Sequence, residues 1–587
     1  MIDHLARPLS RLLLAGAFSG AAAGTMLPSL LTAQDAPRKT PVDAGVNSTP
    51  LPLKHAPRPT TGAITSQDLM TRLYIFADDS LAGRDVGTEG HFKATEYLAR
   101  ELKRLGLKPA GDSGTFFQTL PLADRAVDRM SSLVAGGTSV RLGEGGWAFT
   151  GTENITLDNV EVVYAGPLAD PLPALPPEQA KGRVIAYSVG SQEAFGIAME
   201  GKIARPDGSV GVMLLLSPRA RGILNYVLSG GLNVVDPSRP LDGRLWAADS
   251  TTITLFGTSG PTLVPGAVSG KLNVKALVEM KSPAHPARNV VAVLPGSDPA
   301  LRSQYVAIGA HSDHVGTARR AIDHDSVYVF NQVVRPGGAE DEDKMGNAEQ
   351  FEKINATLAE RRKNTAPRRD SIFNGADDDG SGSMAVLEIA EYLAALKVKP
   401  KRSTLFVWHA GEERGLWGSA YYTEYPTVPR DSIVAQLNMD MVGRGSATDQ
   451  TGMSADGKEL RGGPDYLQLV GSRRLSSELG DAVERVNKER KHNFVFDYAM
   501  DANGHPMNIY CRSDHYEYAK WNIPVTFFTT GGHSAYHQLT DEPQYIDYPH
   551  MQRVSRLVAD IALELGNALS KPKVDGTKMN PRGQCKQ

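Results

Sequence analysis

The sequence is poor in cysteine: its 587 residues include only two, Cys511 and Cys585. Neither stands in a C-x-x-C pair, which excludes zinc-finger and thioredoxin-type motifs. A disulfide between them is one alternative if the protein is exported, and two unpaired thiols are the other. A strong charge of either sign is also missing, since 63 basic side chains face 66 acidic ones. We therefore expect no nucleic acid and no anionic membrane surface as a partner.

Long apolar runs are missing except at the N-terminus. There, Arg7 and Arg11 precede an apolar, Ala/Gly-rich stretch and small residues, a pattern typical of a secretory signal peptide over 1–33. An N-terminal membrane anchor is the alternative, but the Gly and Ala content and Pro28 disfavour it. The sequence therefore predicts an exported protein, periplasmic or extracellular, with no stable membrane insertion after signal cleavage.

Composition divides the rest of the chain into segments. Residues 34–64 are rich in Pro, Thr and charge, which is typical of a disordered linker. The basic, turn-rich tail 571–587 is expected to be disordered as well. Residues 65–129 contain helical patterns and begin the main domain. From 130 to 265, short apolar runs alternate with Gly- and Pro-rich turns, which predicts a small β-rich inserted domain.

Residues 266–570 complete the main domain and have an α/β texture. Apolar strand candidates such as YVAIGAH and STLFVWH alternate with helix candidates such as SGSMAVLEIAEYLAALKV. This alternation predicts an α/β fold whose central sheet is mixed, mostly parallel and flanked by helices. A polar insertion at 317–370 interrupts the pattern. Such an insertion is either a lid over an active site or surface decoration, and both interpretations stay open.

Histidines and carboxylates follow the strand candidates. They are His311, Asp313 and His314; Glu412 and Glu413; Asp440; His537 and Asp541; and, at the start of a helix, Asp377, Asp378 and Asp379. Because the carboxyl ends of parallel strands lie along one edge of a sheet, we expect these groups to converge on one crevice. Histidine with carboxylate and no cysteine is typical of a catalytic zinc site. More carboxylates than one metal can use predict two metals that share a bridging carboxylate.

Six motifs, in this order, resemble the di-zinc aminopeptidases of metallopeptidase family 28: GAHSDHVG, NGADDDGSG, HAGEERGLWGSAYY, LNMDMVGR, CRSDHYEYAKWNIPVTFF and YHQLTD. They span essentially all of 270–570. The β-rich segment 130–265 resembles the protease-associated domain commonly inserted in that family. The resemblance implies the zinc exopeptidase fold, two Zn²⁺ ions per chain, and hydrolysis of N-terminal amino acids from peptide substrates.

The resemblance also implies the metal ligands. They form two sets that share a bridging carboxylate: His311, Asp378 and Asp440 for the first zinc, and Asp378, Glu413 and His537 for the second. Asp377 and Asp379 are alternatives to Asp378 as the bridge, because the register of three consecutive aspartates is easily confused.

Three further residues receive catalytic roles from the resemblance. Glu412 is implied as the general base that takes a proton from the attacking water and passes it to the leaving amine. Asp313 is implied as the carboxylate that orients His311. Tyr536 is implied as a hydrogen-bond donor to the tetrahedral intermediate.

Other residues near the motifs have plainer interpretations. His314 is expected to face solvent or to form a pocket wall, with a role as a metal ligand as the alternative, and His409 is expected to be packed under its loop. His515 and His533 are expected to be pocket residues rather than ligands. Asp541 is expected to orient the loop that carries the last ligand.

The sequence leaves alternatives to an exported aminopeptidase. A carboxypeptidase or dipeptidase on the same fold is one, because such relatives hold a substrate carboxylate with arginine, and Arg414 and Arg444 lie near the motifs. A non-catalytic, receptor-like relative is the other, and it is disfavoured because every ligand position is filled. Residue preference, native metal and oligomeric state are not indicated by the sequence.

Overall fold

The structure is a computed structural model. It describes residues 51–587 apart from 170, 200–202, 204, 219–221, 229–230, 236–242, 364–365, 582, 584 and 586. The predicted signal peptide, 1–33, and the part of the predicted linker before residue 51 lie outside the described residues.

The described chain forms two compact units. One comprises residues 51–120 and Ala287–Gln587, and the other comprises Pro121–Pro286. The second unit contains the segment expected as an inserted domain, and it extends beyond 130–265 at both ends.

The described residues contain 24 β-strands, numbered here in chain order. They are β1 (Lys108–Pro109), β2 (Phe117–Thr119), β3 (Leu122–Val127), β4 (Ser132–Ala135), β5 (Thr138–Val140), β6 (Trp147–Thr150), β7 (Ile155–Pro167), β8 (Val184–Val189), β9 (Gly211–Leu216), β10 (Gly231–Val234), β11 (Arg244–Ala247), β12 (Val268–Ala276), β13 (Val278–Lys281), β14 (Arg288–Leu294), β15 (Tyr305–His311), β16 (Thr317–Asp323), β17 (Arg369–Ile372), β18 (Ser403–His409), β19 (Ile433–Met439), β20 (Gln450–Met453), β21 (Glu459–Arg461), β22 (Tyr466–Val470), β23 (Val495–Asp497) and β24 (Val525–Thr529).

The same residues contain 13 α-helices. They are α1 (Ser66–Phe76), α2 (Glu89–Arg104), α3 (Pro177–Ala180), α4 (Gln192–Met199), α5 (Gly222–Leu228), α6 (Asp249–Phe256), α7 (His324–Val334), α8 (Ala348–Arg361), α9 (Gly382–Ala395), α10 (Trp417–Glu424), α11 (Ser477–Glu489), α12 (His515–Ala519) and α13 (Tyr548–Asn567).

The main unit is built around a nine-stranded mixed sheet. Its order is β1-β14-β18-β15-β19-β24-β22-β23, and β2 also pairs with β14. The four central strands β18, β15, β19 and β24 run parallel to one another. β14 and β22 pair with the outer two of these in the antiparallel sense. The predicted mixed sheet is confirmed, and its parallel part lies at the centre.

Helices cover both faces of this sheet, which explains why its central strands are apolar almost throughout. β18, β19 and β24 are buried along their whole length. Ile308 and Trp408 pack with α1, α9 and α13 on one face. Their neighbours Ala307 and Val407 pack with α10 and α12 on the other. Successive residues of one strand therefore face opposite cores, as the pleat of a strand requires.

The second unit is rich in β-structure. Its larger sheet has eight strands in the order β5-β4-β12-β7-β8-β9-β11-β6, and a smaller one has the order β10-β3-β13. Separate apolar clusters cover the two faces of the larger sheet, one around Trp246 and the other around Trp147. These features agree with the β-rich texture of the sequence.

Two segments expected to be disordered make specific contacts instead. In the predicted linker, the Thr60 hydroxyl donates to Glu391, at 2.7 Å. In the predicted tail, Cys585 forms a disulfide with Cys511, with 5.8 Å between their Cα atoms. Gln587 donates from its backbone to the Asn508 side chain, at 3.2 Å. Composition does not predict such order, because the order depends on contacts with residues far away in the sequence.

None of the helices in the described part of the chain combines the length and the apolar character needed to cross a bilayer.

Candidate metal centre

The residues predicted as metal ligands lie at one edge of the main sheet. His311 ends β15, and Asp440 directly follows β19. Glu412 and Glu413 follow β18, and His537 lies on the loop after β24. They come together because these four strands are parallel, so that their carboxyl ends share one edge.

Asp378 lies between two groups of candidate ligands. Its Oδ1 is 3.1 Å from His311 Nε2, and its Oδ2 is 2.8 Å from His537 Nε2. Asp440 Oδ1 lies 3.7 Å from His311 Nε2, and Glu413 Oε2 lies 3.0 Å from His537 Nε2. The two groups that could hold a metal ion are His311, Asp378 and Asp440 on one side, and His314, Asp378, Glu413 and His537 on the other.

The chemistry of these groups fits metal ions. His311 Nε2 is buried and has no hydrogen-bond partner in the described part of the chain. The carboxylates of Asp378 and Asp440 are buried beside it. A cation between the three would bind the nitrogen lone pair and compensate charges that are costly to bury alone. Imidazole nitrogen with carboxylate oxygen, and without thiolate, is a donor set that suits zinc.

The three consecutive aspartates point in different directions. Asp377 Oδ1 accepts hydrogen bonds from the Ser381 hydroxyl, at 2.8 Å, and from the Gly443 backbone, at 2.7 Å. Asp379 Oδ1 accepts the first backbone N–H of α9, at 2.8 Å. The peptide bond between Asp378 and Asp379 is cis. Of the three, Asp378 alone belongs to both groups that could hold a metal ion.

Asp541 and His533 support the aspartate segment. The Asp541 carboxylate accepts the backbone N–H of Asp377, at 3.0 Å, and that of Asp378, at 3.1 Å. His533 Nε2 lies 3.1 Å from Asp377 Oδ2. Neither residue belongs to a ligand group. Asp541 fixes the backbone that presents Asp378, and His533 contacts the neighbouring carboxylate.

His314 lies in a place that the sequence did not predict. It is fully buried rather than facing solvent, and it belongs to one of the two groups that could hold a metal ion. Its Nδ1 is 2.8 Å from Glu413 Oε1 and 3.9 Å from Asp378 Oδ2. The signal that could have found it is the second histidine of HSDH, which leaves the same strand end as His311 and so enters the same crevice.

Asp313 contributes mainly through a different atom than expected. His311 Nδ1 lies 3.2 Å from the backbone carbonyl of Asp313 and 3.7 Å from its carboxylate. Because a carbonyl can only accept, Nδ1 carries the proton and Nε2 keeps its lone pair for a metal. The Asp313 carboxylate accepts the backbone N–H groups of Glu412, at 3.2 Å, and Glu413, at 3.4 Å. It therefore also holds the glutamate loop.

The adjacent glutamates have opposite electrostatic environments. Burial raises the pKa of Glu412 well above its usual range, and the charge of Glu413 adds to the effect. Burial also opposes ionisation of Glu413, but His537 and the hydrogen bond from His314 lower its pKa overall. Carboxyl groups whose pKa values are shifted apart suit different roles, one as a carrier of protons and one as a charged ligand.

Tyr536 lies beside a candidate ligand and beneath the insertion. Its ring stacks on His537 with 4.1 Å between the centroids. Its backbone carbonyl accepts the N–H of Ala339, at 3.1 Å. At Gly338, where φ is +60°, a Cβ atom would lie only 2.6 Å from that carbonyl oxygen, so this approach requires glycine. The insertion therefore packs directly on the loop that carries His537.

Glu542 fastens the insertion at a second point. Its carboxylate lies 2.7 Å from Nε2 of His324, which begins α7. It also lies 2.6 Å from Nη1 of Arg368, which directly precedes β17. Between these ends, Asn331 Nδ2 donates to Gln538 Oε1, at 3.1 Å. Both ends and the middle of the insertion thus contact the segment that contains His537.

His409 and His515 stay apart from both ligand groups. His409 is buried, with Nδ1 3.3 Å from Asp514 Oδ2 and Nε2 3.0 Å from the Tyr518 hydroxyl. The His515 ring stacks on Phe527 at 4.7 Å, and burial lowers its pKa to about 3. His515 is therefore neutral at physiological pH.

The two arginines near the motifs already face carboxylates. Arg414 Nη2 donates to both carboxylate oxygens of Asp85, at 2.8 Å each. Arg444 Nη2 lies 3.5 Å from Asp449 Oδ1.

A family comparison agrees with this fold and site. Residues 289–562 match the model of peptidase family M28. The match leaves residues 121–286 outside, so the protease-associated identity expected for the inserted domain stays a prediction.

Individual relatives match over shorter stretches. Leucine aminopeptidase 1 of Sclerotinia sclerotiorum is 27% identical over 203 residues, which are 33% of this chain and 47% of that protein. Leupeptin-inactivating enzyme 1 of Streptomyces exfoliatus is 42% identical over 77 residues, 13% of this chain and 18% of that one. The chain thus spans about half the length, or less, of these curated relatives.

Solved structures of two aminopeptidases are similar over more of the chain. A zinc aminopeptidase from Bacillus subtilis is 14% identical, with 88% of this chain and 99% of that one covered and a TM-score of 0.41. The aminopeptidase from Aneurinibacillus sp. strain AM-1 is 14% identical, with 88% and 97% covered and a TM-score of 0.43.

Proposed function

We propose that the protein is an exported aminopeptidase that holds two zinc ions and removes the N-terminal residue from peptides. The observation that carries the proposal is Asp378, whose two oxygens lie beside His311 on one side and His537 on the other. A carboxylate shared between two ligand groups is what a paired-metal hydrolase requires. The M28 family match and the similarity to proteins named leucine aminopeptidase support peptides as substrates.

The two ligand groups would divide the metal ions between them. His311, Asp378 and Asp440 would hold one ion, and Asp378, Glu413 and His537 the other. When bound, zinc supplies a Lewis acid for the scissile carbonyl and makes water acidic enough to attack at neutral pH.

Glu412 is the proposed general base. It belongs to neither ligand group, and Asp313 holds its backbone beside them. A carboxylate with a raised pKa suits a residue that takes a proton from water and returns it to the leaving amine. Tyr536, stacked on His537, is proposed to donate a hydrogen bond to the developing oxyanion.

The contacts of Arg414 favour an aminopeptidase over a carboxypeptidase or dipeptidase. Those alternatives need a cation that can bind the terminal carboxylate of a substrate. Arg414 is bound through one nitrogen to both oxygens of Asp85, so its charge is already paired. Arg444 lies 3.5 Å from Asp449 but keeps a buried Nη1 that has no hydrogen-bond partner among the described residues, so it is the arginine on which the alternative depends. The filled ligand groups likewise disfavour a non-catalytic, receptor-like protein.

Export is proposed from two features. Residues 1–33 have the pattern of a secretory signal peptide. The disulfide between Cys511 and Cys585 is of a kind that forms and persists in oxidising compartments.

The test compares an unblocked leucyl anilide with its N-acetyl form, using the zinc-loaded protein. We expect the unblocked substrate alone to be cleaved. Glu412→Gln is expected to lower kcat by about 10²- to 10⁴-fold, because it removes the base, while zinc per chain stays at the wild-type value.

Glu489→Gln, at the exposed end of α11, is the matched control and should leave kcat unchanged. Release of C-terminal residues from N-blocked peptides would favour the carboxypeptidase alternative. Wild-type turnover in Glu412→Gln would remove Glu412 from the mechanism.

A further inference from the structure

The carboxylate of Glu413 has a separate partner for each oxygen. Oε2 lies 3.0 Å from His537 Nε2, within the second ligand group. Oε1 lies 2.8 Å from Nδ1 of His314, a normal hydrogen-bond distance. A carboxylate held at one oxygen cannot rotate freely, so its other oxygen keeps a fixed direction.

We propose that His314 is a positioning residue, which holds Glu413 through Nδ1 so that Oε2 is presented to the metal beside His537. This proposal rests on the proposed function, because it assumes that the second ligand group binds a metal. It assigns His314, which lies within reach of that metal, a role that acts through Glu413 and not on the metal itself.

The number of ligands argues against His314 as a direct ligand. Catalytic zinc sites use three protein ligands and keep one position open for water or substrate. Asp378, Glu413 and His537 already supply three, as His311, Asp378 and Asp440 do for the first ion. A fourth protein ligand on one side would close that site.

The surroundings of His314 hold its ring in place. Its backbone N–H donates to the Arg84 carbonyl, at 3.2 Å. The buried Arg84 guanidinium in turn donates to the carbonyl of Gly375, at 2.9 Å. Gly375 has a φ of +57°, and a Cβ atom there would lie 2.5 Å from Cγ of the His314 ring. The ring of His537 contacts it edge-on, with 5.4 Å between centroids. A side chain confined in this way is preorganised for one hydrogen bond.

The tautomer follows from the partner. A carboxylate accepts, so Nδ1 of His314 carries the proton. Nε2 is buried and has no hydrogen-bond partner among the residues described. All hydrogen bonding of the ring therefore goes through Nδ1, and this atom can be tested separately.

The experiment replaces His314 by Ala, Asn and Gln in the zinc-loaded chain. Asn places a nitrogen near the position of Nδ1, whereas Gln places one near Nε2. Zinc per chain is measured by elemental analysis along a series of chelator concentrations. We expect the Ala and Gln variants to bind one of the two zinc ions about 10- to 100-fold more weakly. This is the usual loss of affinity when a residue that orients a ligand is removed. We expect Asn to restore wild-type binding.

Cobalt substitution provides a readout of ligand number. The absorption spectrum of the cobalt-loaded Asn variant should match that of the wild type, because the ligands are unchanged. The proposal would be overturned if His314→Asn lost as much zinc as His314→Ala and its cobalt spectrum also changed. That result would make His314 a ligand. Full zinc binding by Ala would overturn it as well.

Two controls separate this result from folding and from the proposed function. His550→Ala removes a buried histidine on α13, outside both ligand groups, and should keep both zinc ions. In His314→Ala, retention of the other zinc ion reports that the main unit is folded. Fewer than two zinc ions in the wild type itself would count against the proposed function and remove the site on which this proposal depends.

Discussion

At the scale of single residues, Asp378 is the side chain on which both ligand groups depend. Its oxygens lie on opposite sides of the centre, and Asp541 holds the backbone behind it. Asp440 and Glu413 each serve one side only. Loss of Asp378 should therefore affect both zinc ions, whereas loss of Asp440 or Glu413 should affect only one.

Asp378→Asn should lower the affinity for both zinc ions, because an amide keeps the shape but removes the charge and one ligand oxygen. Asp440→Asn should lower it for one ion only. Elemental analysis of zinc per chain after gel filtration measures the difference. Asp481→Asn, on the exposed face of α11, is the control and should keep the wild-type content. Equal losses in Asp378→Asn and Asp440→Asn would show that Asp378 does not bridge.

What the sequence predicts at this scale depends on how directly a residue follows a strand. His311 and Asp440 stand at strand ends, so the parallel topology alone places them at the edge. The direction of His314 depends on a loop that Gly375 and Arg84 shape from distant parts of the chain. Asp313 orients His311 with a backbone carbonyl, which no pattern of side chains can reveal.

At the scale of elements, the segment from His533 to Glu542 joins the insertion to the metal centre. Asp541 accepts the backbone N–H groups of Asp377 and Asp378, and the next residue, Glu542, holds both ends of the insertion. The polar composition of 317–370 leaves its place in the fold undetermined, because its anchors are partners far away in the sequence, such as Glu542 and Tyr545, on which the Tyr328 ring stacks with 5.0 Å between centroids.

Glu542→Gln should loosen the insertion. It removes the charge that pairs with His324 and Arg368 and should cost about 2 kcal/mol, less than the loss of a fully buried pair, since the Arg368 side chain is 34% exposed. Limited trypsin digestion should then cut within 343–369 several times faster, as local opening becomes easier.

Glu360→Gln, on the exposed side of α8, is the matched control, because its pair with Lys363 is at the surface. If digestion of Glu542→Gln proceeds at the wild-type rate, the contacts of Ala339 and Asn331 are sufficient to hold the insertion.

At the scale of the whole molecule, the C-terminus returns to the main unit and is bound there covalently. The disulfide closes a loop with a sequence separation of 74 residues. Cys511 stands two residues before Ser513, whose hydroxyl donates to Asp440 Oδ2, at 2.7 Å. The sequence of the tail is polar and turn-rich, so its order could not be predicted from composition. It follows from a bond to a partner far away in the chain.

Cys511→Ser with Cys585→Ser should lower the free energy of unfolding by about 4 kcal/mol, the value that chain entropy gives for a loop of this length. The reason is that the unbridged chain regains freedom in its unfolded state. Wild type produced in a reducing cytosol should be as unstable as this variant, and exported wild type should be more stable than both. Thermal unfolding together with titration of free thiols makes the comparison. Equal stability of the exported and cytosolic forms, with no free thiols in either, would contradict the link between export and this disulfide.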